Sequence, residues 1–510
     1  MKISSFQKAV AAVALGLLCN AAGSAHAAPA TLQLAKLFSD HMVLQQEKPI
    51  HIWGFDAPGS DVMVALNGQS QQATSDKEGS WRVTLPAMKA DGKKHTVTVK
   101  GSTTLTLQNV VLGEVWICSG QSNMEWGSGP ELCAEAKHPD LRLFCAGNRA
   151  LPLKADLILP TGWAECQPDT LELGGSKIFD SKAGSIKRVK SFSRIGYQFG
   201  RDLHQELGVP VGMIKASLGG SRVISWTPHE SCEREFPFGK EMTINENVIK
   251  RQPGALYHLL VQPLTQLSVR GVIWFQGEND ADNPEYEKQL EQMITGWRAA
   301  FGNPSMPFSM VQMSPNSFHD GMLGVWEGQR HVVAKLPNCS IVHTNDIYGE
   351  KHRSVDPETS WPLQGQLDPH PGNHPLIARR LLDLCLQKTY GKEGPEARGP
   401  MVQSHRIEGN KILITFDHVG EGLKSADGEA LNWFEVSDGS RKDGTGPYLY
   451  AKAEARVIGK NQIEVHSPAV AAPKYVRFSW HMYARNNLVN STGLPGFAFR
   501  TDDHKNPKER

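Results

Sequence analysis

The chain has 510 residues, of which 40% are hydrophobic and 21% charged, with 54 Lys plus Arg against 53 Asp plus Glu and a net charge of +1. This is ordinary globular usage over a length that holds roughly two to four domains, and it excludes a disordered chain, a coiled coil and a collagen-like fibre. So even a balance gives no electrostatic ground for nucleic acid or an anionic membrane as the main partner.

The first residues read as an export signal. Lys2 and Lys8 flank the start of an apolar stretch from Ala9 to Leu18, and Ala25-His26-Ala27 supplies a small-x-small cleavage pattern. The apolar part is short for a bilayer, so a membrane anchor is the second reading. Cys19 raises a lipoprotein option, which the bulky Leu18 before it disfavours. Residues 1–27 are therefore expected to leave as a signal peptide. The mature chain then starts at Ala28, has no membrane span, and is secreted or periplasmic. Its seven cysteines are Cys118, Cys133, Cys145, Cys166, Cys232, Cys339 and Cys385. An odd count leaves at least one free thiol, and one pair among Cys133, Cys145 and Cys166 is a candidate disulfide. No Cys-x-x-Cys occurs, which speaks against structural zinc.

Residues 28–110 read as a β domain. Trp81, Val83 and Leu85 alternate with Arg82 and Thr84, Val97 and Val99 alternate with Thr96 and Thr98, and Asn67-Gly68 marks a hairpin turn. Residues 111–395 change to strand–helix alternation. Val115–Cys118, Val272–Phe275, Phe308–Met313 and Ile341–Thr344 are apolar runs. Ile195, Phe199, Leu203 and Leu207 recur on a helix capped by Ser193 and stopped by Gly208. Tyr286, Leu290, Met293, Ile294, Trp297 and Phe301 form a second stripe ended by Gly302, and Pro375 opens a third helix. Such alternation predicts an α/β unit with a mostly parallel sheet covered on both faces. Residues 396–510 return to β, with strand-like runs at Lys411–Phe416, Val457–Val465 and Tyr475–Trp480.

Ligands of parallel sheets sit beyond the carboxyl ends of the strands. Four polar segments follow apolar runs. Cys118-Ser119-Gly120-Gln121-Ser122-Asn123 ends a strand where a helix should begin, so Ser122 is either an exposed nucleophile or an ordinary N-cap. Ser217-Leu218-Gly219-Gly220-Ser221 permits close backbone approach to a ligand, or is a plain tight turn. Gln276-Gly277-Glu278-Asn279-Asp280 offers an amide donor, or is a solvated loop. Asp368-Pro369-His370-Pro371-Gly372-Asn373-His374-Pro375 presents a carboxylate and a histidine two residues apart. A metal site from Asp368, His370 and His374, or an incidental histidine, are the competing readings of that last segment.

Taken together, the four segments resemble the SGNH (GDSL-like) hydrolases, and more closely the sialate O-acetylesterase family. The block Gly113 to Trp126 and the block Arg270 to Asn279 carry the resemblance most specifically. Phe38 to Gln45 and Asn487 to Phe497 extend it over most of the mature chain. The resemblance implies a central SGNH-type parallel sheet flanked by helices, with N- and C-terminal β-sandwich-like domains. It implies Ser122 as nucleophile, His370 as general base and Asp368 as its partner, with Asp346 the second choice. It also implies an oxyanion hole from the Ser122 and Gly220 N–H groups and the Gln276 side chain. Gln121, Asn123, Arg222 and Glu278 are the expected substrate contacts, with a structural ion pair the alternative for Arg222. No metal or organic cofactor is required.

The implied reaction is removal of O-acetyl groups from sugars, 9-O-acetylated sialic acids first. Another acetylated glycan such as xylan, or sugar binding without catalysis, are the alternatives. Trp126, Trp163, Trp226 and Trp361 are candidate sugar platforms. The chain departs from the family at Gly372, Asn373 and His374, where Lys or Arg is usual, and at Ser221, where Thr is usual. The segments 137–190 and 348–366 are expected to be variable and to border the site mouth.

Overall fold

The computed structural model of the chain describes residues 31–146, 162–173, 177–180, 185–188, 192–229, 246–315, 321–347, 370–441, 446–482 and 484–503. The expected signal at residues 1–27, and Asp368, Trp361, Cys19 and Cys232, lie outside them.

One strand organises the molecule. Strand β1, Thr104–Gly120, is 17 residues long and changes character along its length. Its first half alternates exposed and half-buried, and pairs antiparallel with His95–Lys100. From Val110 onward every residue is buried. That half pairs first with Val43–Gln45 and then enters a parallel sheet. The other strands of that sheet are β2 (His138–Cys145), β3 (Ala164–Cys166), β4 (Val211–Ser217), β5 (Gly271–Phe275), β6 (Phe308–Val311) and β7 (Cys339–Val342). Their order is β3-β2-β4-β1-β5-β6-β7, parallel throughout except at the β3 edge. Continuous burial of β4, β5 and β6 is what a sheet covered on both faces requires.

The flanking helices follow the sequence signals. Helix α1, Ser122–Glu125, is one turn directly after β1. In α2, Arg194–Leu207, the Ser193 hydroxyl accepts from Gly196 N–H and Gly208 closes the end at φ +67°. Ile195, Phe199 and Leu203 face the core. Helix α3, Tyr286–Ala300, buries the expected stripe from Tyr286 to Trp297. Helices α4 (Met322–Lys335) and α5 (His374–Lys388) complete the layers, with Asn373 capping α5. Trp226, Trp274, Trp297 and Phe308 pack edge to face in a chain, with centroids 5.8–6.0 Å apart.

Around Asn67-Gly68 the chain makes the expected two-residue hairpin, with both residues at positive φ and Leu66 opposite Gln69. The N-terminal strands share one continuous hydrophobic core with the central sheet. The C-terminal strands are antiparallel and enclose a second core around Ile412, Phe416, Phe434, Ile463 and Phe478. The run Val457–Val465 is not one strand. It is a hairpin of Glu454–Val457 and Gln462–His466, because Gly459 and its polar neighbours turn the chain.

Among the described residues no disulfide joins any two of Cys133, Cys145 and Cys166. The β2–β3 register sets Cys166 opposite His138, at the far end of β2 from Cys145. Seven residues of strand, roughly 23 Å, separate those positions.

Glu114 ties the N-terminal strands to the sheet. Its buried carboxylate takes two bonds from Arg270 (2.6 and 2.8 Å), one from Gln46 (2.8 Å) and one from the Tyr390 hydroxyl (2.9 Å). Burial alone would raise this carboxyl, but the hydrogen bonds and charge of Arg270 hold it below its ordinary value.

Candidate active site

In chain order the parallel strands first build outward through β2 and β4, then continue on the other side of β1 from β5. The reversal falls at β1, so a crevice opens beyond its carboxyl end, between the loops after β4 and β5. The Ser122, Gly219-Gly220 and Gln276–Asp280 segments all lie there.

Gly120 makes the turn out of β1 possible. It sits at φ +134°, and a Cβ there would lie 2.1 Å from the Phe275 carbonyl oxygen. Gln121 is the N-cap of α1 and makes no side-chain cap; Ser122 is the first helical residue. The N-cap reading of Ser122 therefore falls. Instead its Oγ lies 2.9 Å from His370 Nε2. His370 reaches it from the turn before α5, 248 residues away in sequence. The His370 ring also rests on the Trp126 indole, with centroids 5.1 Å apart and planes tilted by 36°.

The carboxylate side is settled only for Asp346. Both its oxygens bond Arg380, at 2.7 and 2.5 Å, so this aspartate is committed to α5. Asp368 lies outside the described residues. His374 is buried against Trp126, and burial, with Arg194 and His370 nearby, lowers its pKa to about 4. The metal reading needed Asp368, so the described residues do not reach it.

The glycine pair lies against the nucleophile. A Cβ on Gly219 would be 3.5 Å from Ser122 Cβ and 2.8 Å from Glu125 Oε2. The Gly219 N–H donates to Glu125 Oε2 at 2.7 Å. Gly220 takes φ +73°, and its N–H, like that of Ser122, has no acceptor among the described residues. These two donors are the ones left to meet a ligand oxygen.

Gln276 is not such a donor. Its Nε2 gives one bond to the Ser221 carbonyl (3.0 Å) and one to Asp280 Oδ2 (2.5 Å), which uses both its N–H groups. Turning the amide over would face its oxygen to the Asp280 carboxylate, so the orientation is fixed. Asp280 is the hub of this loop, accepting also from Val223 N–H and Asn283 Nδ2, each at 2.8 Å. Its pKa is raised by burial, against those hydrogen bonds.

The expected substrate contacts mostly turn inward. Gln121 is 3% exposed; its N–H donates to Phe275 O (2.9 Å) and its Oε1 accepts from Gly277 N–H (3.3 Å). Asn123 is fully buried and donates to Glu278 Oε1 at 2.6 Å. Glu278 is 6% exposed, and burial, reinforced by Asp280, pushes its pKa up to about 7. Strand-end position alone suggested solvent for these three; the loops after β1 and β5 pack on each other and bury them. Arg222 makes the ion pair of the alternative reading, to Asp282 at 2.9 and 3.1 Å.

Of the tryptophans, Trp163 packs on Phe144 and Trp226 on Trp274, both in the core. Trp126 is 42% exposed, beside His370. Glu125 was missed by sequence reasoning. The available signal was a charged residue three positions after the serine, one helical turn on.

Residues 112–356 match a family model described as carbohydrate esterase, sialic acid-specific acetylesterase. Sialate O-acetylesterase of Homo sapiens is 26% identical over 417 residues, covering 76% of each chain. That of Rattus norvegicus is 28% identical over 468 residues, covering 79% of this chain and 82% of its own. The crystal structure of a carbohydrate acetylesterase from Xanthomonas citri superposes with a TM-score of 0.74 at 28% identity, over 92% of this chain and 100% of that one. The chain is similar to the sialate O-acetylesterases over most of its length and is a carboxylic ester hydrolase.

Proposed function

We propose that the chain is a serine carbohydrate esterase that removes O-acetyl groups from sugars through an acyl-enzyme, with 9-O-acetylated sialic acids the first substrate to test. The observation that carries the reading is the 2.9 Å contact between Ser122 Oγ and His370 Nε2 at the point where the sheet order reverses. His370 takes the Ser122 proton as Oγ attacks the acetyl carbonyl. The N–H groups of Ser122 and Gly220 receive the oxyanion. His370 then protonates the departing sugar hydroxyl. Water, deprotonated by His370, attacks the acetyl-serine, and collapse of the second tetrahedral intermediate releases acetate and restores the Ser122 hydroxyl. Asp368 is assigned as the partner of His370, since the Asp346 carboxylate is taken by Arg380. Each oxyanion donor is worth about 3 kcal/mol of barrier.

The names of the relatives support the sugar ester, and the solved relative supports carbohydrate acetates more broadly, acetylated xylan included. Under this reading the SGNH-type sheet forms the catalytic unit of residues 111–395. Residues 28–110 and 396–510 are β domains, and residues 1–27 direct export. No helix among the described residues is long and apolar enough to cross a membrane.

Acetate release from an aryl acetate, 9-O-acetylated sialic acid and acetylated xylan tests the proposal. Wild type should release acetate, the Ser122→Ala variant should not, and the preferred glycan names the substrate class. Equal release by both proteins would overturn it.

A further inference from the structure

Three hydrogen bonds close a ring around the site. The nucleophile turn contributes two members, Asn123 and Glu125, on either side of the peptide that carries Met124. Asn123 Nδ2 donates to Glu278 Oε1 at 2.6 Å, which joins the turn to the loop after β5. In that same loop Asn279 Nδ2 donates to the Gly220 carbonyl at 2.7 Å, which joins it to the loop after β4. The Gly219 N–H then donates to Glu125 Oε2 at 2.7 Å, which returns to the turn. Glu125 is 1% exposed, so the bond is made by a buried carboxylate, where it is strong, and its loss leaves a half-buried donor unpaired.

This ring acts on the oxyanion donors. The glycine pair is held from both sides, its first N–H by Glu125 and its second carbonyl by Asn279. Because Glu125 takes the Gly219 N–H, the left-handed Gly220, at φ +73°, is left to present the next N–H. Gly219 packs flush against Ser122, where a Cβ would meet Glu125 Oε2 at 2.8 Å. The two free N–H groups belong to residues 98 positions apart in sequence. The β1–β4 ladder ends short of them, with Ser217 opposite Gly120 and Leu218 N–H donating to the Gly120 carbonyl at 3.0 Å, and beyond that point the ring sets their separation. We propose that Glu125 is a positioning residue that builds the oxyanion hole by locking the Gly219-Gly220 peptide to the nucleophile turn. The proposal rests on the serine esterase reading above.

Its test compares Glu125→Ala and Glu125→Gln with wild type and Ser122→Ala, on an aryl acetate. A Gln Oε1 can still accept from Gly219 N–H, whereas Ala cannot. Expected is a fall in kcat of about 100-fold for Glu125→Ala with KM changed less than about threefold, and recovery to within about fivefold in Glu125→Gln. Affinity for an alkyl boronic acid, which forms a tetrahedral adduct on serine, should fall in parallel with kcat/KM. Should Glu125→Ala fail to fold, Asn279→Ala breaks the ring at a half-buried position and should lower kcat about tenfold. Wild-type kcat in a folded Glu125→Ala, or in Asn279→Ala, would overturn the proposal. So would unchanged boronate affinity in a variant of reduced kcat. Full activity in Ser122→Ala would instead overturn the esterase reading on which it rests.

Discussion

Replacing Glu278 by Gln should change how stability depends on pH. Glu278 sits in the loop after β5 at 6% exposure, and burial raises its pKa from 4.5 to about 7. A carboxyl raised in the folded state is protonated in both states below pH 4.5, so it carries no penalty there. Between pH 4.5 and about 7 the unfolded chain ionises and the folded chain does not, so the unfolded state binds fewer protons and stability falls as pH rises. A rise from 4.5 to about 7 corresponds to about 3 kcal/mol at the upper limit, all of it lost by pH 7 and above. Gln keeps the acceptor for Asn123 Nδ2 and cannot ionise. Urea melts of both proteins from pH 4 to pH 8 are the assay. The stability of Glu278→Gln relative to wild type should rise by about 1–3 kcal/mol across that range. Parallel pH profiles for the two proteins would refute the reasoning.

Further expectations follow from the same geometry. Arg270→Ala strands the Glu114 carboxylate in the core and should cost about 3–5 kcal/mol in denaturant melts. Gly120→Ala drives a Cβ into the Phe275 carbonyl at 2.1 Å, so soluble yield or melting temperature should drop sharply, and a variant of wild-type stability would contradict the turn geometry. His343 and His374 are held neutral by burial, at about 3 and about 4. A depressed histidine gives stability that is present above pH 6.5 and is lost as pH falls towards the folded value, so His343→Asn should flatten the acid side of the stability curve. Asp368→Asn should lower kcat at least 100-fold, as expected for the carboxylate behind a catalytic histidine. Asp346→Asn, which touches Arg380, should leave the pH dependence of kcat unchanged.

Local chemistry made much of the fold legible. Asn67-Gly68 fits a turn that needs two positive φ values, Ser193 and Gly208 bracket α2, and the α3 stripe is a strong 3.6-residue pattern. Position also singled out the segments of Ser122 and His370, one following a strand and the other preceding a helix, and the two side chains meet at 2.9 Å. Orientation was not legible. Gln276, Gln121 and Asn123 are polar residues at strand ends, a place that suits both ligand contact and loop-to-loop bonding. The choice depends on Asp280, four residues on from Gln276 in the same loop, and on Gly277 and Glu278, which reach Gln121 and Asn123 only in three dimensions. Trp163 and Trp226 likewise looked like loop aromatics, and their burial depends on partners in other strands. The Val457–Val465 run misled because a tight hairpin and a single strand share β-branched residues, and only Gly459 and its polar neighbours separate them.

The central claim is that Ser122 Oγ carries the acetyl group during turnover. Rapid-quench mass spectrometry of wild type mixed with an activated acetate ester tests it most directly. The account predicts an acetyl adduct on the peptide bearing Ser122 within the first turnover, and none in Ser122→Ala. An adduct on another residue, or undiminished turnover by Ser122→Ala, would contradict it.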